Sequence, residues 1–144
     1  MKNTLLALVT ISFSMLTYAG GNPEHVKLPD NYKTEFTNYD TRNRTNGKQI
    51  AVLYANKKAT DSASGSALAD GSTIVMEIYK IAVGEDGKPT IGEDDSFEKG
   101  KFAAIAVMEK RSNWDASLDA GHKAGDWGFA IYNTDGTVKA NDLD

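Results

Sequence analysis

Residues 70–83 read DGSTIVMEIYKIAV, the clearest strand pattern in the chain. An Asp-Gly turn signal opens the stretch, and the run of β-branched and apolar residues after it predicts a strand over residues 72–83. A second stretch, KFAAIAVMEK at residues 101–110, predicts a further strand. The run of alanines in this stretch predicts that another group packs closely against the strand, either a helix or a flat ligand. Two strands of this kind indicate a β-rich core.

Two further strands are predicted on either side of this pair in the chain. Residues 48–55 (KQIAVLYA) predict a central strand, because both of its faces carry apolar residues. Residues 127–133 (WGFAIYN) predict another strand close to the end of the sequence. The polar segment 38–48 ends in an Asn-Gly turn signal and predicts a loop that leads into the central strand.

Two helices are predicted in the first half of the chain. Tyr32, Phe36 and Tyr39 follow the i, i+4, i+7 spacing that places side chains on one face of a helix. Asn56 is a candidate N-cap for a second helix over residues 57–69, which is rich in alanine and serine and is weakened by a glycine.

These elements favour the α+β class, a mainly antiparallel β-sheet with two or so short helices. We expect a single domain over residues 24–144, because a chain of 144 residues has room for one ordinary domain. The net charge is −4 and there is no basic cluster, so we expect no nucleic-acid partner.

Residues 1–19 have the features of a cleaved signal peptide. Lys2 supplies the positive start, an apolar stretch runs from Leu5 to Leu16, and Ala19 is the predicted cleavage site. The apolar run is too short for a membrane span, so we expect no membrane anchor and a periplasmic or secreted protein. The chain has no cysteine, so the domain lacks disulfides and depends on its core.

Local motifs identify no catalytic residue and no metal site. The two histidines, His25 and His122, are too few for a zinc site, and both are expected to be ordinary surface residues. The serines of the alanine-rich segment lack the nucleophile-elbow pattern. The acidic residues of segment 84–95 do not have the spacing of a calcium loop, which favours a solvated charge run.

Six short motifs follow one another along nearly all of the chain after the signal peptide. They are PDNY at 29–32, VLYAN at 52–56, LADGS at 68–72, VMEI at 75–78, AVMEK at 106–110 and GDWGF at 125–129. No motif is specific alone, but in their order and spacing the six resemble the cytochrome P460 family, including its cytochrome c′-beta members.

The resemblance implies an exported, homodimeric, largely antiparallel β protein that carries haem c with an open distal face. Members of the family act on small gaseous or nitrogenous ligands: some oxidise hydroxylamine, and the c′-beta proteins bind nitric oxide. It also implies an electron-transfer partner and a C-x-x-C-H haem-attachment motif near the C-terminus.

The chain departs from the family pattern at two places. Residues 140–144 fall about where the attachment motif would begin, and the motif is absent. We expect a truncated sequence, the alternative being a protein that has lost covalent haem. Where the enzymes of the family carry a lysine that cross-links to haem, this chain has Met76. Met76 is predicted to face the haem, although a methionine also fills a core readily.

The sequence leaves three functions open. The favoured one is a periplasmic haem protein that binds nitric oxide or a similar ligand, or transfers electrons. The second is a haem-free module on the same scaffold that binds a small ligand. The third is a hydroxylamine-oxidising enzyme, which Met76 disfavours because a thioether cannot replace the lysine amine. Whether the protein is an enzyme therefore stays open, and Met76 favours a protein that is not one.

Overall fold

The computed structural model describes residues 23–62, 65–114 and 123–139. The predicted signal peptide with its cleavage site at Ala19, and also His122, lie outside the described residues. The described elements are α1 (Tyr32–Glu35), β1 (Thr37–Asn43), β2 (Gln49–Ala55), α2 (Lys57–Thr60), β3 (Thr73–Ile81), β4 (Lys99–Lys110), β5 (Lys123–Ala124) and β6 (Trp127–Tyr132).

All six described strands form one sheet in the order β1-β2-β3-β4-β6-β5, and every neighbouring pair is antiparallel. This confirms the predicted α+β class, with a mainly antiparallel sheet and two short helices. The longest strands, β3 and β4, lie at the centre and are joined by the acidic segment. Within the described ranges, no helix is long and apolar enough to cross a membrane.

The sequence predicted four strands close to their true positions. The central strand expected over 48–55 is β2, and the one expected over 72–83 is β3. The strands expected over 101–110 and 127–133 are β4 and β6. Each of these combines β-branched or aromatic residues with apolar positions on both faces, the pattern typical of interior strands.

The helix predicted to carry Tyr32, Phe36 and Tyr39 on one face is wrong beyond its first turn. The helix α1 ends at Glu35, and Phe36 already has an extended backbone. The chain then forms β1, which the sequence analysis assigned to a loop, and Tyr39 lies within it. Pairing with β2 satisfies the backbone groups of this polar edge strand, which has almost no buried side chain.

The second helix is also much shorter than predicted. Asn56 is the N-cap, as expected, since its side chain accepts a hydrogen bond from the Ala59 amide at 3.1 Å. The helix ends at Thr60, and the Thr60 and Ser62 hydroxyls donate to carbonyls of the preceding turn. Such bonds compete with helical ones. Gly65 has a φ of +83°, which no helix accommodates.

The acidic segment between β3 and β4 is folded into two similar turns. The Gly84 amide donates to the Lys88 carbonyl at 2.9 Å, and the Gly92 amide donates to the Ser96 carbonyl at 2.8 Å. In each turn one carboxylate, that of Asp86 or Asp94, accepts from the backbone amide two residues later. These aspartates therefore act as turn residues of the segment.

Candidate functional site

Neighbouring residues of β3 face opposite sides of the sheet, because side chains alternate along a strand. Met76, the residue predicted to face haem, pairs with Leu53 on β2 and with Ala106 on β4. The next residue, Glu77, pairs with Val52 and Ile105. We call the side that carries Glu77 the first face and the side that carries Met76 the second face.

The first face is closed by the segment that precedes β1 and by Trp114. Val26 is fully buried against it, and its carbonyl accepts a 2.6 Å hydrogen bond from the Tyr132 hydroxyl. Trp114 lies so close to Gly128 that a Cβ atom there would be 2.7 Å from the indole ring. The core cluster on this face also includes Tyr32 of α1. The first face is therefore a completed core.

Glu77 is a buried carboxylate within this core, with 2 % of its surface exposed. One oxygen accepts a 2.7 Å hydrogen bond from the Tyr32 hydroxyl and lies 2.9 Å from Lys33 Nζ. The other accepts a 2.9 Å bond from the Tyr79 hydroxyl. Three donors thus stabilise one buried charge, which is the arrangement that such a charge requires.

The pKa values within this group follow from the shared partners. Burial raises the pKa of Glu77, but the hydrogen bonds from Lys33, Tyr32 and Tyr79 outweigh it and hold the pKa below its ordinary value. Burial and the bond to Glu77 raise the pKa of Tyr79 to about 12, and they raise that of Tyr32 further. Glu77 is thus ionised and fully bonded, which makes it a structural residue that ties α1 to β3.

The rows through Met76 and Ile74 on the second face are covered less completely, although Ala51, Ala55, Ile78 and Ala104 on the same face are buried. Leu53, Met76, Ala106 and Ile131 form one row across four strands, and all four are half-buried. Ile74, Met108 and Phe129 continue the surface in the adjacent row. The side chains that face this side are Ala51, Leu53, Ala55, Ile74, Met76, Ile78, Ala104, Ala106, Met108, Phe129 and Ile131.

A cleft of about 280 Å³ lies beside Met76 at the β1 side of this face. Its apolar part comes from β2 and β3, and its polar part comes from β1 and the turn that follows. A β-bulge interrupts the β1–β2 register at Tyr39, which lines the cleft and is 47 % exposed. The lining residues are Tyr39, Arg42, Asn43, Arg44, Thr45, Ala51, Leu53 and Met76.

A second cleft, of about 320 Å³, adjoins the first one and shares Tyr39 with it. It is almost wholly apolar and continues the second face towards α2. Its lining residues are Tyr39, Ala55, Ala59, Thr60, Leu68 and Ile74. Both volumes are of the order of small-ligand pockets. Tyr39 is therefore the residue between two parts of one apolar surface.

The residues of the second face fit a porphyrin ring but include no ligand set for its iron. A flat apolar surface with small residues such as Ala106 suits a planar ring, and the arginines at its edge suit carboxylates. Across residues 23–62, 65–114 and 123–139, no three His, Cys, Asp or Glu side chains are grouped to hold a metal ion. His25 is partly buried next to Val26, in the segment that closes the first face.

The structure places Met76 in the cleft, and whether it faces a haem stays a prediction. Tyr39, Arg42 and Arg44 were not predicted as site residues, because they belong to β1 and its following turn, a segment whose polar sequence predicted a loop. The alternation of Thr37, Tyr39 and Thr41 was a weak signal of a strand.

Two comparisons with known proteins bear on the site. The model of the cytochrome P460 family matches residues 29–144, a range that contains both clefts and every described strand. No curated protein matches the chain.

Proposed function

The chain belongs to the cytochrome P460 family, a family of haem proteins, and on that premise we propose that it binds a haem against its second face. In this proposal the haem binds nitric oxide or a similar small ligand, or transfers electrons. The observation that carries the proposal is the half-buried row of Leu53, Met76, Ala106 and Ile131. A porphyrin laid on that row removes apolar surface from water, which is favourable.

The chain's own residues form the surface under the ring and the edge beside it. Leu53, Met76 and Ala106 present aliphatic or small side chains to the ring, and the two clefts that share Tyr39 deepen the site. The bound haem would supply an iron centre for ligand binding or electron transfer. The 144 residues contain no cysteine for thioether attachment, so binding by this chain alone is non-covalent.

Met76 favours ligand binding over hydroxylamine oxidation. By resemblance, Met76 stands at the position where the oxidising enzymes carry a lysine that cross-links to haem, and a thioether has no amine for that bond. A methionine does contact an aromatic ring favourably through its polarizable sulfur. We therefore propose that Met76 packs on the haem without bonding to it.

Titration of the purified protein with hemin tests the proposal. We expect a saturable Soret band with one haem per chain, and a shift of that band when nitric oxide is added to the reduced complex. Met76→Gln puts an amide into the apolar row and is expected to weaken hemin binding at least tenfold. Val138→Thr, at an exposed position outside both clefts, is expected to change nothing. Absence of a saturable Soret band would contradict the proposal.

A haem-free module that binds a small apolar ligand is the second candidate. The absence of cysteine from the sequence and the small apolar cleft between Tyr39 and α2 favour it. It predicts that an apolar fluorescent probe binds at micromolar concentration and is not displaced by hemin. Competition between the two for one site would support the haem protein instead.

We also propose that the protein is exported and forms a homodimer, as its first 19 residues and the family resemblance suggest. Mass spectrometry of the protein recovered from a periplasmic fraction is expected to give a mature chain that begins at Gly20. Sedimentation is expected to give the mass of two chains. A chain that retains Met1, or a monomer at high micromolar concentration, would contradict the respective proposal.

A further inference from the structure

The cleft beside Met76 has an apolar floor and a cationic rim. Ala51, Leu53 and Met76 form the floor, and two arginines, Arg42 and Arg44, lie on the side of β1. A ligand that complements both parts is apolar over most of its area and carries negative charge at one edge.

The two arginines differ in what already neutralises them. Arg42 forms an ion pair with Asp40, two residues earlier on the same strand. The Arg44 guanidinium donates at 2.6 Å to the amide oxygen of Gln49, a neutral partner. Within the part of the chain that the structure describes, Arg44 has no acidic partner. Its positive charge is therefore available to a ligand.

Arg44 is also held in place before any ligand arrives. Gln49 is 6 % exposed and is fixed by a hydrogen bond from the Asn46 side chain at 3.0 Å. The Arg44 amide donates to the Gln49 carbonyl at 2.8 Å, which fixes the backbone at the same point. A guanidinium has five N–H donors, and Gln49 uses one. The remaining donors keep the planar geometry that binds a carboxylate with two parallel bonds.

We infer that Arg44 binds a propionate carboxylate of the haem and thereby fixes the orientation of the ring on the second face. This inference rests on the proposed function, since it concerns the edge of the same bound haem. Arg42, which shares its charge with Asp40, contributes less. The carboxylate edge points towards the β1–β2 turn, and the apolar edge lies over the row that contains Met76 and Ala106.

Two porphyrins that differ only at their propionate groups test this assignment. Hemin carries two propionates, and hemin dimethyl ester has both of them blocked. Binding is measured from the Soret band and from quenching of tryptophan fluorescence, in the same dilute detergent for both ligands. We expect the wild-type protein to bind hemin about tenfold more tightly than the ester, the effect of one charge-assisted contact.

Variants of the turn assign that preference to one residue. Arg44→Gln is expected to abolish the preference for hemin over the ester, because it weakens the binding of hemin and leaves that of the ester unchanged. Arg44→Lys is expected to restore part of the preference. Lys48→Gln removes the same charge from the same turn at an exposed position outside the cleft, and it is expected to keep the full preference. Circular dichroism of each variant shows whether it is folded, and the ester provides a second check because its binding does not depend on Arg44.

The outcomes separate the inference from the function on which it rests. If hemin binds and Arg44→Gln keeps the full preference over the ester, the assignment of Arg44 is wrong and the proposed function stands. If hemin and the ester bind the wild-type protein equally, the propionates are not recognised and the assignment is again wrong. If neither porphyrin binds, both proposals fail.

Discussion

The two faces of the sheet are built from alternate residues of the same strands, yet the side chains of their neighbouring rows are buried to different degrees. On the first face Val52, Glu77, Ile105 and Tyr132 form a row whose members are each 5 % exposed or less. On the second face the neighbouring row through Met76 is half-buried throughout. The difference indicates that the row through Glu77 is the more completely packed of the two, and that the row through Met76 is the part of the sheet with room for the ligand we propose.

The largest effect on stability is expected from Glu77→Ala. The substitution removes the shared acceptor of Tyr32 and Tyr79 and leaves Lys33 without its buried partner. We expect the free energy of unfolding in urea to fall by about 3–5 kcal/mol. Met76→Ala, one residue away on the second face, is the matched control and is expected to cost about 1–2 kcal/mol, because the side chain is only half-buried. Equal losses for the two variants would remove the distinction between the faces.

A smaller loss is expected when a single methyl group is added to the first face. Gly128→Ala places a Cβ 2.7 Å from the Trp114 ring and about 3.1 Å from Val26. The indole must shift, so we expect a loss of about 1–3 kcal/mol and a change in tryptophan fluorescence. Ala106→Val adds more volume to the half-buried row and is expected to cost less than about 1 kcal/mol. A fully stable Gly128→Ala protein would show that the first face is not tightly packed.

The charge of Glu77 makes the stability of the first face depend on pH. Because its pKa in the folded protein lies below the ordinary value of 4.5, the stabilisation is complete above about pH 4.5 and is lost as the pH falls through the folded-state value. Urea unfolding of wild type and Glu77→Gln is measured between pH 7 and pH 3. The difference between their free energies of unfolding is expected to be constant at the upper end of this range and to narrow below about pH 4.5. A difference that widens towards pH 3 would contradict this assignment.

The smallest effect is expected from Met76→Leu. The two side chains have similar volumes and the site is half-buried, so the free energy of unfolding is expected to change by less than about 1 kcal/mol. Thermal unfolding with and without hemin gives both values in one experiment, and the shift produced by hemin is expected to be smaller in the variant than in wild type. A change in the ligand-free protein of 2 kcal/mol or more would show that Met76 is a core residue.

The interior strands and the opposed directions of Met76 and Glu77 are predictable from the sequence, because both follow from local alternation. The partners of Glu77 are not. Tyr32 lies 45 residues earlier in the chain, and its approach depends on how the segment before β1 crosses the sheet. Sequence patterns identify a charged residue within an apolar strand, but they do not identify the donors that neutralise it.

The rim of the cleft was missed for a related reason. An edge strand needs few apolar residues, so the composition of β1 is close to that of a loop. Its strand conformation depends on pairing with β2, which the sequence of β1 alone does not reveal. Arg44 directly follows β1, and it lies beside the face that carries Met76 because β1 and β2 pair in one register. The bulge at Tyr39 changes that register locally. Neither effect is contained in a window of neighbouring residues.

The methyl resonances of the two faces show most directly where a haem lies. Met76 and Met108 belong to the second face, and Val75 and Val107 belong to the first face of the same two strands. Addition of zinc protoporphyrin is expected to produce large ring-current shifts at both methionine methyl groups and much smaller shifts at the two valines. Larger shifts at the valines, or no shift at either pair, would contradict the assignment of the second face as the haem site.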